Sequence, residues 1–110
     1  MFDRRKFVLA LAAGAYASPL RARTATSRTH RVEIENFAFK PARIEVRAGD
    51  IIAWINRDFA PHTATADNEG WGTGLLKKAA TGRLVARRPG TLAYHCAFHP
   101  HMKGVIVVVA

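Results

Sequence analysis

The stretch Thr91–Val109, TLAYHCAFHPHMKGVIVVV, reads as strand, loop, strand. Thr91 to Cys96 follows the strong turn signal Pro89-Gly90, and Gly104 opens a β-branched run from Val105 to Val109. Between the two runs, the nine residues from Tyr94 to Met102 hold the one cysteine of the chain and three of its five histidines, His95, His99 and His101. Met102 is the one methionine besides Met1. Soft and borderline metal ligands are thus crowded into a single connection between two strands.

Upstream, apolar residues recur with period two. Val32 and Ile34, and then Phe37 and Phe39, recur in this way in HRVEIENFAF, and Ile44 and Val46 in ARIEVRAGD, the pattern of half-buried strands. The turn Ala48-Gly49-Asp50 leads into Ile51–Ile55, apolar enough for a buried strand. A loop from Asn56 to His62 and a segment with Gly70, Gly72 and Gly74 follow, and in TGRLVARR the residues Leu84 and Ala86 are expected to point inward. Trp54 and Trp71 read as core or core-rim aromatics. Six or seven short strands without a convincing amphipathic helix predict an all-β fold, an antiparallel sandwich or barrel.

A chain of 110 residues has room for one domain. Its 49% hydrophobic and 23% charged residues are those of a globular protein. The N-terminus places Arg4, Arg5 and Lys6 before an apolar run from Phe7 to about Ala13 and a small-residue site at Ala15-Tyr16-Ala17, the layout of an export signal, and the arginine pair followed by Phe7-Val8-Leu9 resembles a twin-arginine signal. The apolar run falls short of the roughly 20 residues needed to span a membrane. Residues 1–17 are therefore expected to be a signal peptide, 18–30 a linker and 31–110 the domain. Loss of residues 1–17, with Asp3, Arg4, Arg5 and Lys6, brings the net charge from +9 to +7. Such a charge favours an acidic protein or an anionic surface, and export argues against nucleic acid. A lone cysteine in an oxidising compartment cannot form an internal disulfide, so Cys96 needs other protection.

Cys96, His99 and Met102 fall at C-x2-H-x2-M, and His62 lies upstream in the loop after the Trp54 strand. Singly, these residues have bland readings: a buried cysteine is commonly a small hydrophobe, a methionine a core filler, a loop histidine a backbone hydrogen-bonding group. Together they form the set of a blue-copper site, a thiolate and two imidazoles in a plane with a weak axial thioether. Zinc also takes Cys and His, but Met102 speaks against it.

With these residues in view, positions 31–110 resemble the cupredoxin family, and the short ligand loop is most similar to that of the amicyanins. Asn36–Pro41, Gly49-Asp50, Trp54, Pro61-His62, Pro89-Gly90 and Met102-Lys103-Gly104 support the match. The resemblance implies an antiparallel Greek-key β-sandwich holding one copper ion at His62, Cys96, His99 and Met102. It also implies a periplasmic one-electron carrier that is not an enzyme. Expected partners are redox proteins such as a periplasmic dehydrogenase or a c-type cytochrome, docking near His99 within a patch of Pro61, Phe98 and Pro100, with Lys103 on the rim. No nucleic acid and no membrane span are expected, and the chain is expected to be a monomer. A copper carrier or scavenger without electron-transfer partners is the alternative. A copper enzyme needs an open coordination position, which this ligand set does not leave.

Three departures from the amicyanins carry expectations. Phe98 stands where they usually have proline, which frees a backbone N–H beside the Cys96 sulfur. Thr63 stands where relatives often have asparagine, and its N–H is expected to bond the sulfur and its hydroxyl to brace the two ligand loops. His101 is expected to point outward on the docking face. His95 should face away from Cys96, and His30 should lie at the domain edge, both structural or solvated.

Overall fold

The computed structural model describes residues 26–68 and 70–110. The signal expected at residues 1–17 and the linker as far as residue 25 lie outside them. Eight strands are present among the described residues: β1 (Thr29–Glu35), β2 (Ala38–Lys40), β3 (Arg43–Arg47), β4 (Ile51–Asn56), β5 (Thr65–Ala66), β6 (Thr81–Val85), β7 (Gly90–Cys96) and β8 (His99–Val109). The sheet already begins at Thr29, so the last two positions expected of the linker belong to the domain. None of the described residues forms a helix long and apolar enough to cross a membrane.

The strands make two four-stranded sheets, ordered β2-β1-β4-β6 and β3-β8-β7-β5, packed as the predicted β-sandwich. Direction differs in one respect from the antiparallel expectation. Each sheet contains one parallel pair, β1 with β4 and β3 with β8. Period-two alternation reports which side chains face inward and carries no information on strand direction. Direction follows instead from the path of the chain, which changes sheet at every connection from β2 to β7.

The alternating residues meet between the sheets. Val32, Ile34, Phe39, Ile52 and Trp54 come from one layer, and Val46, Tyr94, Cys96, Ile106 and Val108 from the other, all buried. Each such aliphatic side chain contributes about 1.5–3 kcal/mol by leaving water. Trp54 is fully buried, and Trp71 packs against the core from its rim. Tyr94 lies across Gly104 in the neighbouring strand, where a Cβ would collide with the Tyr94 ring. That contact explains the glycine at the opening of a strand otherwise built of valine and isoleucine.

Phe37 departs from the alternation. Glu35 pairs with Ala38, so Asn36 and Phe37 are the two-residue loop of the β1–β2 hairpin, both with positive φ, 55° and 57°. Phe37 is 52% exposed and outside the core. A left-handed backbone costs a residue with a Cβ about 1–2 kcal/mol. Asp58 offsets part of it by accepting the Asn36 and Phe37 N–H groups at 2.8 and 2.9 Å.

Candidate metal centre

Three of the predicted ligands, His62, Cys96 and His99, gather at one end of the sandwich. Cys96 ends β7, fully buried. The register then gives the loop its form: Cys96 pairs with His99 across the two-residue turn Ala97-Phe98, and the next pair is His95 with Lys103. Pro100, His101 and Met102 therefore bulge from β8 without partners on β7, as extra residues in one strand must. Pro100 and His101 are exposed, whereas Met102 turns inward and joins the core cluster that contains Cys96. His99 begins a strand where the loop reading expected a turn.

His62 arrives from the opposite layer's loop. Its backbone exchanges hydrogen bonds with Leu76. Asn56, also fully buried, braces the loop by donating from Nδ2 to the carbonyls of Ala60 and Leu76, at 2.9 and 2.8 Å, while its Oδ1 accepts the Asp58 N–H. The His62 ring is wholly buried and its two nitrogens have different neighbours. Nε2 lies 2.8 Å from Asp58 Oδ2, and Nδ1 lies 3.7 Å from Cys96 Sγ.

Asp58 decides what that ring can do. Burial opposes its charge, but the N–H groups of Phe37 and Asn36 and the His62 imidazole outweigh it and hold the carboxyl below its ordinary value. An ionised carboxylate accepts a proton from Nε2, and in that tautomer Nδ1 is the nitrogen left to act as a donor to a metal, on the side facing the sulfur. A nitrogen and a sulfur facing each other at this separation are a suitable pair of donors for a soft cation. With metal–sulfur and metal–nitrogen bonds of about 2.3 and 2.0 Å, ligands at trigonal angles stand roughly 3.8 Å apart, close to the observed 3.7 Å. The His99 ring, half-buried, lies with its centroid 5.3 Å from that of His62. Two imidazoles sharing an ion at bond lengths of about 2.0 Å place their centroids about 5 Å apart. The donor set therefore fits a trigonal thiolate–imidazole metal site. Among the described residues, no three of the His, Cys, Asp and Glu side chains stand together as a closed cage; at this end His62 pairs with Asp58 at 2.8 Å and with Cys96 at 3.7 Å.

The sulfur accepts a backbone N–H from Thr63 at 3.4 Å, as expected. The Thr63 hydroxyl takes the Ala97 N–H at 2.8 Å and meets the Thr65 hydroxyl, tying the two ligand loops together. A second bond from the Phe98 N–H is absent among the described residues, and Phe98 is 56% exposed. His101 is exposed, as expected. His95 faces away from the site, with Nδ1 2.6 Å from Asp67, and His30 bonds Asp50 at the other end of the molecule. Asp58 was not singled out in the sequence. Its signal was faint, a carboxylate four residues before a candidate ligand histidine, in a loop with no periodicity to fix its direction.

Comparison with known proteins agrees with this architecture. Amicyanin of Paracoccus denitrificans is 34% identical over 82 residues, covering 70% of this chain and 63% of that protein, just under two thirds of its length. Amicyanin-alpha of Methylorubrum extorquens is 31% identical over 107 residues, covering 90% and 85%. A solved Cu(I) structure of a methionine-to-glutamine amicyanin variant superposes with a TM-score of 0.67 at 30% identity, covering 73% of this chain and 81% of that one. The profile of the family described as Cupredoxin-like domain matches residues 6–108, and with that match over nearly its whole length, this chain belongs to the cupredoxin-like family.

Proposed function

We propose that the chain is a type 1, blue copper protein that carries single electrons between redox proteins. His62 Nδ1, the Cys96 sulfur, the His99 imidazole and the Met102 thioether are the residues that would hold the copper ion. The observation that supports this best is the facing of His62 Nδ1 and Cys96 Sγ at 3.7 Å, with the opposite ring nitrogen held by Asp58. One copper ion, when bound, supplies the Cu(II)/Cu(I) couple. The chain contributes rigidity and tuning. Asn56, Asp58 and Thr63 fix the His62 loop, and the Thr63 N–H lowers electron density on the sulfur, one of the levers that set such potentials.

Phe98, Pro61 and Pro100 are exposed, flank the two ligand histidines in sequence, and are the candidates for an apolar docking patch around His99, with exposed Lys103 at its rim. A basic chain of this kind steers acidic partners, for which a periplasmic dehydrogenase or a c-type cytochrome is the chemical class. Residues 1–17 act as an export signal, which places the mature monomer in the bacterial periplasm. Four side chains on one ion leave no position for a substrate, so the protein is a carrier and not an enzyme.

Addition of Cu(II) to the purified mature chain tests this directly. An intense blue thiolate-to-copper absorption that bleaches on reduction and returns on oxidation is expected. A colourless product ends the ligand reading. Blue protein that exchanges electrons slowly but surrenders Cu(I) to a chaperone-like acceptor ends the carrier reading in favour of a scavenger.

A further inference from the structure

The β1–β2 turn is built against the preferences of its residues. A two-residue hairpin with both central φ angles positive is met without strain by asparagine followed by glycine. Here the second position is Phe37, at φ 57°. Two sets of contacts hold it there. Asp58, the carboxylate that orients His62, accepts the N–H of both turn residues. The Phe37 ring stands edge-on to the His62 and His99 imidazoles, with centroids 4.9 Å from each and interplanar angles of 88° and 77°. Strained backbone persists where the surrounding structure over-determines it, and it clusters at functional sites.

The two imidazoles are not equally secured. His62 is wholly buried, bonded to Asp58 and bridged to Leu76. His99 is half-buried, lies immediately before the three-residue bulge, and is oriented by aromatic contacts with Phe37 and His62. A single ring touching both imidazoles transfers the rigidity of the first to the second.

We propose that Phe37 is a positioning residue that clamps the His99 imidazole against His62. The turn gives up stability so that the ring can lie over both. This rests on the reading of these histidines as ligands, and it predicts opposite signs for two measurements on one variant. Phe37→Gly restores the preferred Asn-Gly turn, so the metal-free protein melts at a higher temperature. The same change frees His99, so the Cu(II)-loaded protein releases copper to excess chelator on the order of 10-fold faster. A loss of folding cannot produce that pair of results.

Phe37→Asn, which tolerates the left-handed backbone but lacks the ring, releases copper as fast as Phe37→Gly, and Phe37→Tyr stays near the original rate. In the metal-free chain, NMR relaxation of the imidazoles shows the His99 ring mobilised in the Gly and Asn variants and the His62 ring unchanged. Original release rates together with unchanged His99 relaxation in both variants would overturn the clamp. An original chain that binds no copper would overturn the ligand assignment instead, and the metal-free relaxation would still decide for or against the clamp.

Discussion

Two aspartates at opposite ends of the molecule perform the same act of stapling, with different results. Asp50 accepts the N–H groups of Arg28 and Arg47, each at 3.0 Å, and lies 2.9 Å from His30 Nε2. Asp58 accepts the N–H groups of Asn36 and Phe37 and lies 2.8 Å from His62 Nε2. Each carboxylate thus joins a strand or turn to a histidine about 20 residues away or to one in its own loop. What separates them is the other ring nitrogen. His30 is partly exposed, at 26%, beside a cavity lined by Arg28, Glu45 and Arg47. His62 is fully enclosed and its second nitrogen faces the Cys96 sulfur. A carboxylate–histidine pair is therefore an orienting device in itself. It becomes part of a metal site where a second donor stands opposite.

The sharpest break of this comparison is at the second donor. Cys96→Ser is expected to abolish the blue absorption entirely, as is His62→Gln, whereas His30→Gln leaves colour and potential unchanged; absorption spectra of the three copper-treated variants decide it. Exchange of the carboxylates comes next. Asp58→Asn weakens copper binding by roughly 10–100-fold, the range for partners of a ligand histidine, while Asp50→Asn lowers the melting temperature by several degrees without altering affinity, as competition titration and calorimetry can show.

Acid unfolding sharpens the pair further. The Arg28 N–H, followed by His30 and the Arg47 N–H, holds the Asp50 carboxyl at about 2, against an ordinary value of 3.8. Since the folded value lies below the unfolded one, this stabilisation is complete above 3.8 and is lost as pH falls toward 2. Denaturant midpoints measured across that window should fall in the original chain and fall less steeply in Asp50→Asn. The smallest effect is expected at Asn56, which supports the metal end alone. Asn56→Ala leaves the Ala60 carbonyl without this donor and the Leu76 carbonyl with the His62 N–H alone, and should cost about 1–3 kcal/mol by equilibrium unfolding, with the Asp50 end unaffected in hydrogen exchange.

Much of this was legible from residue order. Val32, Ile34, Ile44 and Val46 alternate because one face of each strand is buried, and the spacing of Cys96, His99 and Met102 is preserved as a turn and a bulge at one strand end. Three features were hidden for physical reasons. Asn36-Phe37 carries no glycine to mark the β1–β2 turn, whose one trace in the sequence is the three-residue step from Ile34 to Phe37 that breaks the period of two. The parallel pairs β1–β4 and β3–β8 are invisible to a pattern that has no direction. Asp58 acts through a tertiary contact, and neither composition nor period marks it. His30 was expected at the domain edge and is there, but its bond to Asp50 joins residues 20 positions apart, beyond any local signal.

The lone thiol and the imidazole opposite it come from positions 34 residues apart, joined through the pairing of β5 with β7 and the Thr63 hydroxyl. This juxtaposition is consequently a product of long-range closure, absent until the chain has folded. Until the two layers meet, the sulfur is open to peroxide and to any passing soft ion; afterwards it is sealed.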